Sequence, residues 1–82
     1  MKRIGVVGIV VTGGKDAVLE MQSVLSDFAD IIIGRMGVPR KEGNAIALIV
    51  EGATERVSAL TGRLGKFPSL TVKSAMTSFE VE

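Results

Sequence analysis

With 82 residues, ten basic and nine acidic, a formal charge of +1 and neither cysteine nor histidine, the chain reads as one domain over residues 1–82. It has no disulfides and none of the usual transition-metal ligands to brace it. A domain this short buries only about 60% of the surface its unfolded chain exposes, so the supports left to it are idealised packing or oligomerisation, which favours self-association. No block of like charges offers nucleic acid a basic footprint, and direct DNA binding is not expected.

Met1-Lys2-Arg3 before the apolar run Ile4 to Val11 imitates a short signal peptide. No small-x-small cleavage site follows, and so short a run cannot span a bilayer. The expectation is a cytoplasmic protein with no membrane partner, in which Arg3 to Val11, rich in β-branched residues, forms a strand that stops at Thr12-Gly13-Gly14. From Asp16, apolar residues at Val18, Met21, Val24, Leu25 and Phe28 recur every three or four positions, which predicts an amphipathic helix. Asp30 to Val38 has too many β-branched residues and glycines for a helix, and Pro39 disfavours the α conformation at Val38, so this is a second strand. Pro39 to Asn44 is the polar hairpin connection and Ala45 to Glu51 the third strand. Thr54 and Glu55 then form a helix entrance, a hydroxyl for the orphan N–H groups and a carboxylate at the positive dipole end. The second helix follows Val57, Leu60 and Leu64 to a stop at Gly65, and Leu70 to Met76 reads as a fourth strand.

Two β-α-β units joined by a hairpin, each with a right-handed crossover, give an α+β ferredoxin-like sandwich. Its four-stranded antiparallel sheet has order 4-1-3-2, with both helices on one face. The two central strands then pose a problem, because they are apolar on both sides. Ile46, Leu48 and Val50 alternate with Ala45, Ala47 and Ile49, and Ile4, Val6, Gly8 and Val10 with Gly5, Val7, Ile9 and Val11. Either the helix-free face is ordinary apolar surface, or it is an oligomer interface in which Gly8, Ala45, Ala47 and Ile49 let two sheets approach closely. A homo-oligomer, dimer or tetramer, is expected.

The residues offer little chemistry. Nucleophile triads lack their histidine, the carboxylates Asp16, Glu20, Asp27 and Asp30 spread along one helix and its end, and no cofactor, metal or enzymatic activity is expected. Gly13-Gly14-Lys15 sits between strand and helix, where backbone N–H groups can meet an anion. Ile9 and Asp16 nevertheless break the phosphate-loop pattern. Arg35 stands in mid-strand on the parity of Ile31 and Ile33, flanked by Gly34 and Gly37. It either reaches solvent at the sheet edge or pairs with an anion or carboxylate at a subunit interface. Arg35, Arg40 and Lys41 form a candidate anionic site, so the candidate ligand contacts are Gly13, Gly14, Lys15, Arg35, Gly37 and Arg40.

The stretch Arg35-Met36-Gly37-Val38-Pro39-Arg40-Lys41-Glu42 resembles the small proteins described as iron-only hydrogenase system regulators. Ala59 to Lys66 and Leu70-Thr71-Val72-Lys73 are similar to that family's second helix ending and last strand. The resemblance implies an ACT-like ferredoxin fold, similar to the C-terminal regulatory domain of the nickel-responsive repressor, and an oligomer with a role in regulating hydrogenase-related genes. The nickel ligands of that repressor are His and Cys, which this chain lacks. The function expected is a regulatory, ligand-sensing oligomer for a small metabolite such as an amino acid, linked to transcription regulation. The alternative is an interaction scaffold whose open strand edges pair with a protein partner.

Overall fold

A computed structural model describes residues 1–82. Its elements are β1 (Lys2–Val11), α1 (Gly14–Asp27), β2 (Ile32–Val38), β3 (Asn44–Gly52), α2 (Thr54–Leu64) and β4 (Leu70–Val81). All strand pairs are antiparallel and the order is β2-β3-β1-β4, the expected topology read from the opposite edge. The most apolar strands, β1 and β3, lie in the centre, with Val7 facing Leu48 on one side and Ser74 on the other.

Burial alternates along β3 and, from Ile4 onward, along β1. Val7, Ile9 and Val11 with Ile46, Leu48 and Val50 join Met21, Val24 and Leu25 of α1 and Val57, Leu60 and Leu64 of α2 in one buried cluster. Each such side chain contributes about 1.5–3 kcal/mol by leaving water. The other parity of both strands receives no helix.

Several boundaries differ from the sequence reading, each for a local reason. α1 begins at Gly14 rather than Asp16, because Gly13 and Gly14 take positive φ angles of 106° and 75° that bend the chain directly into the helix. Thr54 is already helical, the cap position is Ala53, and no side chain caps α2. Gly65 ends that helix in the right-handed region, its N–H donating to the Thr61 carbonyl, so the stop does not use glycine's left-handed freedom. A turn from Phe28 delays β2 to Ile32, with the Ile31 N–H donating to the Phe28 carbonyl at 3.0 Å. A register shift between Ile32 and Gly34 then reverses the phase of β2: Arg35 pairs with Leu48 and belongs to the helix-side face with Ile32, not with Ile33. β4 runs five residues past Met76, because its end pairs with the start of β1, Lys2 with Val81 and Arg3 with Glu80.

The α1 end is tied to α2 by charge. Arg56 donates to both carboxylate oxygens of Asp30 at 2.8 and 2.9 Å, and Arg63 reaches Asp27 at 2.9 Å. The Arg56 hydrogen bonds, helped by Coulombic attraction, hold the Asp30 carboxyl below the ordinary aspartate range. A carboxyl with a depressed folded-state pKa stabilises the fold fully above its unfolded value and loses that contribution as pH falls through the folded one. Solvent and salt screen this exposed pair. Asp30→Asn is therefore expected to lower the melting temperature at neutral pH, by a margin that closes on acidification below the aspartate range. An equal margin at every pH in thermal scans would contradict this origin.

Candidate functional site

The turn that follows β1 is built from fixed backbone. The Thr12 N–H donates to the Ser69 carbonyl at 2.8 Å, pinning the turn to the segment before β4. At Gly13 a Cβ would approach that of Ser69 to 3.1 Å, whereas one at Gly14 would meet nothing within 4 Å. Gly14 is thus required by its backbone angle alone, and its missing side chain opens onto free space. No side chain caps α1, so its first N–H groups have no partner within the helix and point out of its N-terminus.

Across from this turn lies the β2–β3 loop. Gly43 packs so tightly on the end of β1 that a Cβ there would stand 2.8 Å from the Val11 carbonyl oxygen. Between turn and loop is a cleft of about 700 Å³ with Val11, Val18 and Leu19 as its apolar wall. Lys15 contributes a positive charge from α1, and Arg40 and Lys41 do so from the loop, beside Glu42. The two ion pairs of the chain, Arg56–Asp30 and Arg63–Asp27, lie elsewhere, so these cations are uncommitted. An open apolar cleft with surplus positive charge and free helix N–H groups suits a small molecule carrying a carboxylate or phosphate.

Of the residues singled out in the sequence, Gly13, Gly14, Lys15 and Arg40 come together here. Arg35 does not: it lies in a shallower groove of about 210 Å³ beside Leu25 and Ile32 and donates to Gln22 Oε1 at 3.1 Å. Gly37 pairs with Ile46 in the sheet, outside both spaces. Sequence reasoning missed Leu19, which is 66% exposed. An apolar side chain on the wet side of an otherwise amphipathic helix was the available signal. Glu42 and Asn44 enter only through the loop's fold and left no signal. Gly8, Ala45, Ala47 and Ile49 all fall on the helix-free sheet face.

No group of three or more His, Cys, Asp or Glu side chains is placed to hold a metal ion, so a nickel site of His and Cys ligands does not fit these residues. No helix is long and apolar enough to cross a membrane.

The sheet order, the paired helices and the glycine turn define an ACT-like domain. The ACT domain of GTP pyrophosphokinase from Chlorobium tepidum superposes with a TM-score of 0.74 at 18% identity, over 90% of this chain and 86% of that one. The chain belongs to the TM1266-like family, whose description reads "Iron-only hydrogenase system regulator, putative" and whose model matches residues 3–74. The uncharacterized protein TM1266 of Thermotoga maritima is 29% identical, with a TM-score of 0.86 over 93% of this chain and 98% of its own. An unknown protein from Galdieria sulphuraria, 15% identical, shares the fold with a TM-score of 0.65, over 100% of this chain and 48% of that one. No curated protein matches the chain in sequence.

Proposed function

We propose that this domain is a regulatory sensor that works as a homo-oligomer and takes a small carboxylate metabolite, an amino acid being the best fit, in the cleft between the β1–α1 turn and the β2–β3 loop. The observation that carries the reading is the meeting of Gly13, Gly14 and Lys15 with Arg40, Lys41 and Glu42 around one space. A ligand carboxylate would accept from the α1 N–H groups and the cations, and its ammonium group would face Glu42. The apolar wall would select the side chain. Membership of a family described as regulators fits a sensing role better than a catalytic one. The transcriptional link to a hydrogenase system would then run through whatever the oligomer contacts.

A thermal-shift screen against amino acids and small organic acids tests this. A ligand at a hundredfold excess over its Kd stabilises by about 2.7 kcal/mol, which in a domain of this size raises the melting temperature by roughly 10 °C or more. Lys15→Ala combined with Arg40→Ala should abolish the shift, while Arg35→Ala should leave it. No shift with any compound would overturn the sensor and favour the interaction scaffold. A shift abolished by Arg35→Ala and unaffected by the double variant would move the site to the other groove.

A further inference from the structure

The sheet has two edges, and the chain blunts only one of them. At the β2 edge a register shift between Ile32 and Gly34 interrupts the ladder, and Arg35 donates to Gln22 in the groove beside it. Irregular steps and charge of this kind discourage a further strand. β4 is longer, twelve residues, and pairs with β1 without a break from Leu70 to Met76. No strand stands on its outer side, which leaves a row of backbone N–H and C=O groups open. Beside that edge runs a groove of about 520 Å³ with α2 as its other bank. The bank is low: Ser58, Gly62 and Gly65 line it, spaced by four and three along the helix, and the Thr61 hydroxyl turns back to the Ser58 carbonyl. Gly62 has no explanation within the chain. It lies in the last turn of α2, where glycine weakens a helix relative to alanine. Its φ is not positive, and a Cβ there would meet nothing within 4 Å, whereas one at Gly5, Gly43 or Gly52 would press on a neighbour. A glycine that costs stability and that no neighbour demands suits a close approach from outside the chain. The charge of the groove is one-sided as well. Lys73 lines it, no carboxylate does, and Lys73 takes no part in either ion pair.

We infer that this groove takes an extended segment of another protein, which adds to β4 as a fifth strand. Main-chain hydrogen bonds to the open edge supply the affinity, and alternate side chains the selectivity. Register separates the two parities: Val72 and Ser74 pair with Ile9 and Val7 on the helix side, and Lys73 pairs with Gly8 on the helix-free side. On the helix side the segment carries glycine, alanine or serine, because it runs close to Gly62. On the other side it carries an aspartate or glutamate opposite Lys73, a cross-strand pair of opposite charge. A second β4 fits poorly. It would bring another Lys73 to the same stretch, where like charges repel, and its own helix-side residues, Leu70, Val72 and Met76, are large. The groove shares no lining residue with the cleft of the proposed sensor.

Selection of displayed random peptides of about ten residues on the full chain tests the inference, with the enriched sequences synthesised and titrated into isotope-labelled protein. The expected peptides alternate small residues with Asp or Glu. They should shift the amide resonances of Gly62 and of Thr71 to Ser74 and slow hydrogen exchange along β4. Gly62→Leu should raise their dissociation constants at least about tenfold. The same variant should raise the melting temperature by roughly 3–6 °C, since leucine is the better helix former. A glycine needed only for the fold predicts a fall. Lys73→Glu should reject these peptides and select basic ones in their place. No enriched sequence, peptides indifferent to Gly62→Leu, or a lowered melting temperature in that variant would overturn the inference. So would self-association that Gly62→Leu abolishes in light scattering, which would give the groove to a second copy. Peptide binding should persist in the Lys15→Ala, Arg40→Ala variant, so failure here and failure of the sensor reading are distinguishable.

Discussion

Phe28→Ala is expected to destabilise the fold by about 3–5 kcal/mol, much of the roughly 4–12 kcal/mol that a domain of this length possesses. Phe28 is 6% exposed at the end of α1 and belongs to the core cluster. Its ring also lies beneath two guanidinium groups from α2, Arg56 at 5.1 Å and Arg63 at 5.5 Å from its centre. Each of those arginines grips a carboxylate near the end of α1, Asp30 or Asp27. The ring is therefore both core filler and platform. Its removal leaves a cavity and two arginines whose stems have lost their support. Urea denaturation measures the loss directly, and thermal scans should show a fall of roughly 15 °C or more. Phe28→Leu should recover part of the packing and none of the cation–π attraction. A loss under 1 kcal/mol for the alanine variant would mean that the two helices are held chiefly by the remaining aliphatic core.

Gly5→Ala is the second substitution with a large expected cost, although it adds one methyl group to a strand, where alanine normally replaces glycine at no loss. Gly5 lies on the helix side of β1 opposite Met76, and a Cβ there would collide with the Met76 sulfur and stand 2.9 Å from the Ala75 carbonyl oxygen. The thioether can swing away, but the carbonyl is backbone within the β1–β4 ladder and cannot move without spoiling the pairing. We expect a loss of about 1–3 kcal/mol. Combining it with Met76→Ala should show a coupling smaller than the cost of Gly5→Ala alone, since only the side-chain clash is relieved. Full recovery in the double variant, read by thermal denaturation, would assign the whole cost to the methionine.

Periodicity alone made much of this architecture legible. Strand alternation in β1 and β3, the spacing of Val57, Leu60 and Leu64, and the glycine turn are local signals, and each reports a real physical demand. The second half of β4 is different. Residues Thr77 to Val81 lie on an edge strand with little burial on either side, so no apolar rhythm marks them. Their order comes from ladder pairing with β1 and from the Thr77 hydroxyl donating to the Ile4 carbonyl. The phase of Arg35 was hidden because one irregular step near Ile33 inverts every side chain after it. The cleft was half legible: Gly13-Gly14-Lys15 declares itself, but Arg40 and Lys41 reach that space only because the β2–β3 loop folds against the end of β1. Tertiary placement separated Arg35 from them.

The strand order also decides how the molecule comes apart. Read along the chain, β1-α1-β2 and β3-α2-β4 look like two modules, yet in the sheet β3 stands between β1 and β2, and β1 stands between β3 and β4. Neither half can satisfy its own strands by hydrogen bonding, because each has a gap that only the other fills. The two halves interlock like combs and are not domains in miniature. Most pairings consequently join residues far apart in sequence, up to Lys2 with Val81. A chain of this topology folds late and as a whole, since the loops must close before the ladder rewards them. A nick in the β2–β3 loop would release no folded fragment, only two mates that need one another.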